Sequence, residues 1–70
     1  MRPRFPFDPL AEAAGNPSPA VLARRLGLHR RTIHRWRAAG CVPDRQADRA
    51  AVALGHHPAE IWPIEWSAHP

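Results

Sequence analysis

The sequence predicts an all-α domain of five short helices, and three observations carry that expectation. Apolar residues recur at the spacing of a helix, and no segment shows the period-two alternation of a strand. Four glycines, Gly15, Gly27, Gly40 and Gly55, each close such a segment, and a proline or capping residue opens the next. The chain is 70 residues long, which gives room for one small core and excludes a two-domain enzyme. A chain of this size buries only about 60% of the surface its unfolded form exposes, which disfavours a deep, dry catalytic pocket.

Residues 1–7, Met-Arg-Pro-Arg-Phe-Pro-Phe, lack a helical period, and Pro3 and Pro6 favour an extended basic and aromatic arm from which Phe5 and Phe7 can tuck onto the core. The domain proper is expected over residues 8–66, with residues 67–70 as a tail. Asp8-Pro9 is a helix start, and Gly15-Asn16-Pro17 stops that helix after about six residues. Ser18-Pro19 repeats the cap-plus-proline start. It opens a second helix that Gly27 ends and whose Leu22, Ala23 and Leu26 lie within about 100° of one another. A third helix is expected from about His29 to Ala39, closed by Gly40. Its Ile33 and Trp36 share one side, while Arg30, Arg31, His34, Arg35 and Arg37 cover an arc of roughly 160° on the other. A fourth helix opens near Pro43-Asp44 and ends at Gly55, with Ala47, Ala50, Ala51 and Leu54 as a narrow apolar seam. His57-Pro58 starts a last short turn through Trp62, and Pro63 prevents its simple continuation.

Charge is distributed unevenly along these elements. All ten basic residues are arginine, against six acids, for a net charge of +4. A high-GC genome explains the absence of lysine as well as a function does. It does not explain why Arg24 to Arg37 holds six arginines, two histidines and no acid, whereas residues 38–70 hold two arginines and four acids. A local basic patch cleared of acids points to a polyanionic partner rather than a merely solvated helix face.

The block Val21-Leu22-Ala23-Arg24-Arg25-Leu26-Gly27-Leu28-His29-Arg30-Arg31-Thr32-Ile33-His34-Arg35-Trp36 resembles a helix-turn-helix. Ala23 is small where two helices cross, Gly27 permits the turn, Leu28 plugs the gap beneath it, and Ile33 and Trp36 anchor the second helix. The ending Ala53 to Pro63, Ala-Leu-Gly-x-x-Pro-x-x-Ile-Trp-Pro, is similar to the tail of the lambda-repressor-like fold, and especially of Ner-like and Cro-like phage regulators. Trp36 to Pro43 and Gln46 to Ala51 resemble regulators of high-GC actinobacteria and their phages. The resemblance covers about residues 8–66 and implies a sequence-specific regulator of transcription that binds double-stranded DNA. It places His29, Arg30, Arg31, His34 and Arg35 against DNA, with Thr32 a phosphate ligand and Arg37 completing the basic face.

Three further expectations follow from it. Arg2 and Arg4 reach phosphates or a neighbouring minor groove as a basic arm does. One helix of this size reads too few base pairs for tight discrimination, so two copies are expected on DNA, with Ile64 and Trp66 as the contact between them. Without a membrane span or a secretory leader in the sequence, the cytoplasm, at the nucleoid, is the expected location. Two alternatives stay open: a phage recombination or packaging accessory that also binds DNA, and a helix-turn-helix that contacts a protein such as host RNA polymerase.

A rival reading rests on Trp36-x-x-x-Gly40-x-x-Pro43, which also resembles the entry to the wing of winged-helix excisionase-like and MerR-like proteins. Those proteins follow the proline with a β-hairpin, whereas residues 44–54 carry a helical seam here, which favours the five-helix reading.

The remaining chemistry-bearing residues have plainer explanations. Cys41 is alone and reads as a small apolar filler. His29 and His34 lack a zinc-like pattern of partners, and His56-His57 sits where a helix begins. Trp36 and Trp62 read as core, whereas Trp66 either folds back or faces a second subunit. The six acids lie near helix starts or beside arginines and form no catalytic pair, so neither an enzyme nor a cofactor is expected.

Overall fold

Local capping chemistry sets most of the element boundaries in the computed structural model, which describes residues 5–67. The chain runs β1 (Phe5–Pro6), α1 (Phe7–Ala13), α2 (Pro19–Leu26), α3 (Arg30–Ala39), β2 (Cys41–Val42), α4 (Asp44–Ala53), α5 (Pro58–Ile61) and α6 (Pro63–Ser67). Among the described residues the fold is therefore mostly helical, with one small antiparallel pair of strands.

The second and third helices begin and end where their residues dictate. Ser18 Oγ accepts from the Val21 N–H at 3.3 Å, and Pro19 supplies the preset φ of the first helical position. At the other end Gly27 takes a left-handed φ of 70°. Its N–H donates to Arg24 O at 3.3 Å, and the Leu28 N–H reaches back to Ala23 O at 2.8 Å. Those two bonds form a Schellman motif, which satisfies the last carbonyls of α2 and turns the chain within three residues. His29 then caps α3 with its ring, Nδ1 accepting from the Arg31 N–H at 3.0 Å. Gly40, with φ 77°, closes α3 through a 2.8 Å bond from its N–H to Trp36 O.

The N-terminal segment is extended at Phe5–Pro6 and buries Phe5 and Phe7 in the core as expected, but its extended part ends at Pro6, short of the expected residues 1–7, and is tied into the fold. Phe5 and Pro6 pair antiparallel with Val42 and Cys41, and the Phe7 N–H donates to Gly40 O at 3.0 Å. The first helix consequently begins at Phe7, one residue before the expected Asp8 cap, because the far end of α3 satisfies its leading donor. Phe5 is fully buried, and its ring meets that of Trp62 at 5.1 Å in an edge-on arrangement. Residues 5–7 are thus part of the folded unit, held by two aromatic side chains and a two-residue ladder too short to show alternation in the sequence. Arg2 and Arg4 lie outside the described residues.

The C-terminal third departs from the expected helix count as well. His57 Nδ1 accepts from the Ala59 N–H at 3.1 Å while Glu60 Oε1 accepts from the His57 N–H at 3.2 Å, a reciprocal cap that starts α5. Pro63 ends α5 as expected but also occupies the first position of α6, so six helices are present among the described residues instead of five. The segment after Pro43 is helix α4 and not a wing hairpin.

One core joins these elements. Leu10 of α1, Leu22 and Ala23 of α2, Ile33 and Trp36 of α3, and Val42 of β2 meet the small seam Ala47, Ala50 and Ala51 of α4, whose size lets the helices approach closely. Trp62 seals the base: it is fully buried, and its indole Nε1–H donates to Pro6 O at 2.8 Å, which ties the two ends of the fold together. Trp66 folds back against this core, 6.1 Å from the Phe5 ring and 5.9 Å from the His57 ring, which settles its position as half-buried packing. Ile64 beside it remains 77% exposed.

Candidate nucleic-acid interface

The rotation of α3 about its own axis is fixed by its two buried residues. Ile33 is fully buried and Trp36 is 3% exposed, so the opposite face of a helix with 3.6 residues per turn must point outward. Arg30, Arg31, His34 and Arg35 occupy that face and all four are exposed, with Ala38 small among them. Packing of two apolar side chains thus determines which way four polar ones project.

The other expected site residues divide into distinct settings. His29 is exposed, but its Nδ1 is engaged as the α3 cap, so the ring is oriented by the helix it begins and its remaining N–H, at Nε2, is a donor. Thr32 is half-buried and turned toward α4, where it lines a groove of about 380 Å³ together with Arg35, Arg45 and Gln46. Arg37 is exposed at the far edge of α3, beside a small cavity of about 50 Å³ lined by Asn16 and Pro17 of the α1–α2 connection. It stands apart from Arg35 across the width of the face.

Within the basic stretch, Arg25 has a structural task. Its guanidinium donates to Ala14 O at 2.9 Å, joining α2 to the end of α1. No arginine of α2 or α3 forms an ion pair among the described residues, and Arg24, Arg30, Arg31, Arg35 and Arg37 are all exposed. Part of this arrangement works against stability. Arg30 and Arg31 stand in the first turn of α3, where the helix macrodipole is positive, and Arg31 and Arg35 are like charges one turn apart. Arg24 and Arg25 stand in the last turn of α2, where the same dipole favours them.

Sequence reasoning missed a second set of basic residues. Arg45 and Arg49 belong to a segment whose acids cancel them in a count along the chain. Around α4, however, Gln46, Arg49 and Arg45 span roughly 100° on one side of the alanine seam, whereas Asp44 and Asp48 lie together on the other. Gln46 and Arg49 flank Trp36 and the Gly27-Leu28 turn in a second groove of about 180 Å³. The helical wheel carried that signal, and the linear charge count erased it.

Among the described residues no cluster of three histidine, cysteine, aspartate or glutamate side chains could hold a metal ion, and no helix is long and apolar enough to cross a membrane. Cys41 is half-buried in the wall of the larger groove. No protein-family model, no curated protein and no solved structure matches the chain.

Proposed function

We propose that this chain is a sequence-specific double-stranded DNA-binding regulator of transcription, built as a lambda-repressor-like helix-turn-helix domain in which α2 and α3 are the two helices of the motif. The observation that carries the reading is the exposed, acid-free face of α3, locked outward by Ile33 and Trp36. The Schellman turn at Gly27 supports it by setting α2 and α3 at a fixed angle within three residues.

An α-helix with its side chains is about 10–12 Å across, which matches the roughly 12 Å width of the major groove. Seated there by its N-terminal half, α3 offers Arg30, Arg31, His34 and Arg35 to base edges and adjacent phosphates. Arginine suits both tasks, since its planar fork pairs bidentately with guanine O6 and N7 or with a phosphate. His29 donates from Nε2 to a phosphate while Nδ1 keeps the cap, so one ring both starts the helix and positions it on the backbone. At ten residues α3 is about 15 Å long and covers about four or five base pairs, so discrimination among genomic sites calls for two copies on half-sites about 34 Å apart. Ile64 is the apolar residue offered to a second copy, being 77% exposed where Trp66 is packed.

This reading makes the protein a Cro-like or Ner-like factor of phage or prophage origin that works at the nucleoid, its regulation set by abundance and cooperativity. Footprinting of the tagged protein across the genome tests it. Discrete, palindromic sites near promoters are expected. Recovery with RNA polymerase in the absence of DNA, without discrete sites, would overturn the reading in favour of a protein-contact module.

A further inference from the structure

The face of α3 leaves the basic edge of α4 without a role. Resting on the reading of α3 as the DNA-reading helix, we propose that the groove between α3 and α4 is a phosphate clamp. It seats the sugar-phosphate backbone at the rim of the major groove, with Arg45 as its charged ligand and Gln46 and Thr32 as neutral hydrogen-bonding partners, while Arg49, in the adjoining groove beyond Trp36, takes the next phosphate.

Three observations converge on this assignment. The charges of α4 are segregated around the helix: Arg45 lines the groove shared with α3 and Arg49 the groove beside the Gly27-Leu28 turn, whereas Asp44 and Asp48, together on another side of the helix, line neither. Both helices contribute to one open groove of about 380 Å³, where Thr32 and Arg35 of α3 face Arg45 and Gln46 of α4. That space corresponds to about ten water molecules, enough for a hydrated phosphodiester group. The wall between the two grooves is Trp36, an apolar ring that focuses the field of the guanidinium groups on either side.

The occupant follows from dimensions. A helix nearly as wide as the major groove fills it, so whatever packs beside that helix must lie over the groove's rim, where the phosphates run. Segment α4 packs on α2 and α5, and its first turn stands across the shared groove from α3, so that Arg45 and Gln46 meet that rim. The clamp reads no bases; it fixes the depth and register at which α3 enters, so it adds affinity equally on every sequence.

The test is the salt dependence of binding to a fluorescently labelled random-sequence duplex, for the wild type, R45Q, R49Q, the double variant R45Q/R49Q, R30Q/R31Q and D48N. Each phosphate contact contributes about 0.9 to the log–log slope, so R45Q and R49Q should each flatten it by about 0.9 and the double variant by about 1.8. D48N, which raises net charge by the same unit on the far edge of α4, should leave the slope unchanged. The thermal melts of all five variants, followed by circular dichroism, show whether each is folded. A wild-type slope retained by R45Q/R49Q while R30Q/R31Q loses it overturns the clamp and leaves the α3 reading standing. An equal change of slope in D48N also overturns the clamp, because net charge alone would then explain the effect. Absence of duplex binding by the wild type overturns the reading on which the clamp rests.

Discussion

Arginines at opposite helix ends should have opposite effects on stability. Arg30 and Arg31 occupy the first two positions of α3, exposed and facing the positive end of its dipole. Replacing both with glutamine keeps side-chain length and helix propensity nearly constant, so the change isolates charge. Each charge near a helix end is worth about 0.3–1 kcal/mol at low ionic strength, and relief of the Arg31–Arg35 repulsion adds about 0.2–0.5 kcal/mol. R30Q/R31Q is therefore expected to be more stable than the wild type by about 1 kcal/mol, a rise in Tm of about 4–8 °C for a domain of this size. Arg24→Gln and Arg25→Gln should act in the other direction, since both sit in the last turn of α2 and Arg25 also loses its bond to Ala14 O. Thermal melts in low-salt buffer, repeated in high salt where the dipole effect is screened, measure all three variants. The same R30Q/R31Q protein should bind duplex DNA far more weakly. A fall in Tm for R30Q/R31Q would refute the argument, because it would make these arginines structural, and unchanged DNA affinity would remove them from the interface.

The other expectations concern packing and assembly. Trp62→Phe removes the 2.8 Å bond to Pro6 O and part of a fully buried ring, and should cost about 2 kcal/mol, read as a Tm about 10 °C lower. Ser18→Ala removes the α2 cap and should cost about 1 kcal/mol by denaturant titration while DNA affinity, corrected for the folded fraction, stays the same. Deleting residues 1–6 removes Phe5 from the centre of the aromatic cluster and should cost at least the roughly 3–5 kcal/mol of a large aromatic truncation, leaving no cooperative melt. Ile64→Asp should abolish cooperative binding to a duplex with two half-sites without changing affinity for one. Ile64 is the better probe than Trp66, whose removal also strips packing from Phe5.

What the sequence made legible was local. Ser18 with Pro19, the glycines at 27 and 40, and the histidine at 57 mark helix ends because capping is a matter of a few neighbouring residues, and each boundary falls within a residue or two of its expected place. The face of α3 was equally readable, since Ile33 and Trp36 at three-residue spacing determine it. The features that were not legible depend on distance along the chain. Pairing of Phe5 with Val42 spans more than half the chain and covers two residues, too few for any periodic signal. The start of α1 at Phe7 depends on a carbonyl supplied by Gly40. Pro63 was ambiguous because the same ring that blocks one helix favours the start of another, and only the packing of Trp66 on Phe5 and His57 shows which role prevails. Arg45 and Arg49 escaped notice because charge was summed along the chain instead of around α4.

The central claim, that the arginine face of this domain grips the DNA backbone, is tested most directly by the salt dependence of wild-type affinity for duplex DNA. Four arginine–phosphate contacts predict a log–log slope of about −3 to −4, and the α4 contacts would steepen it toward about −5. Binding whose strength does not change with salt, or no binding to duplex DNA at low salt, would contradict it.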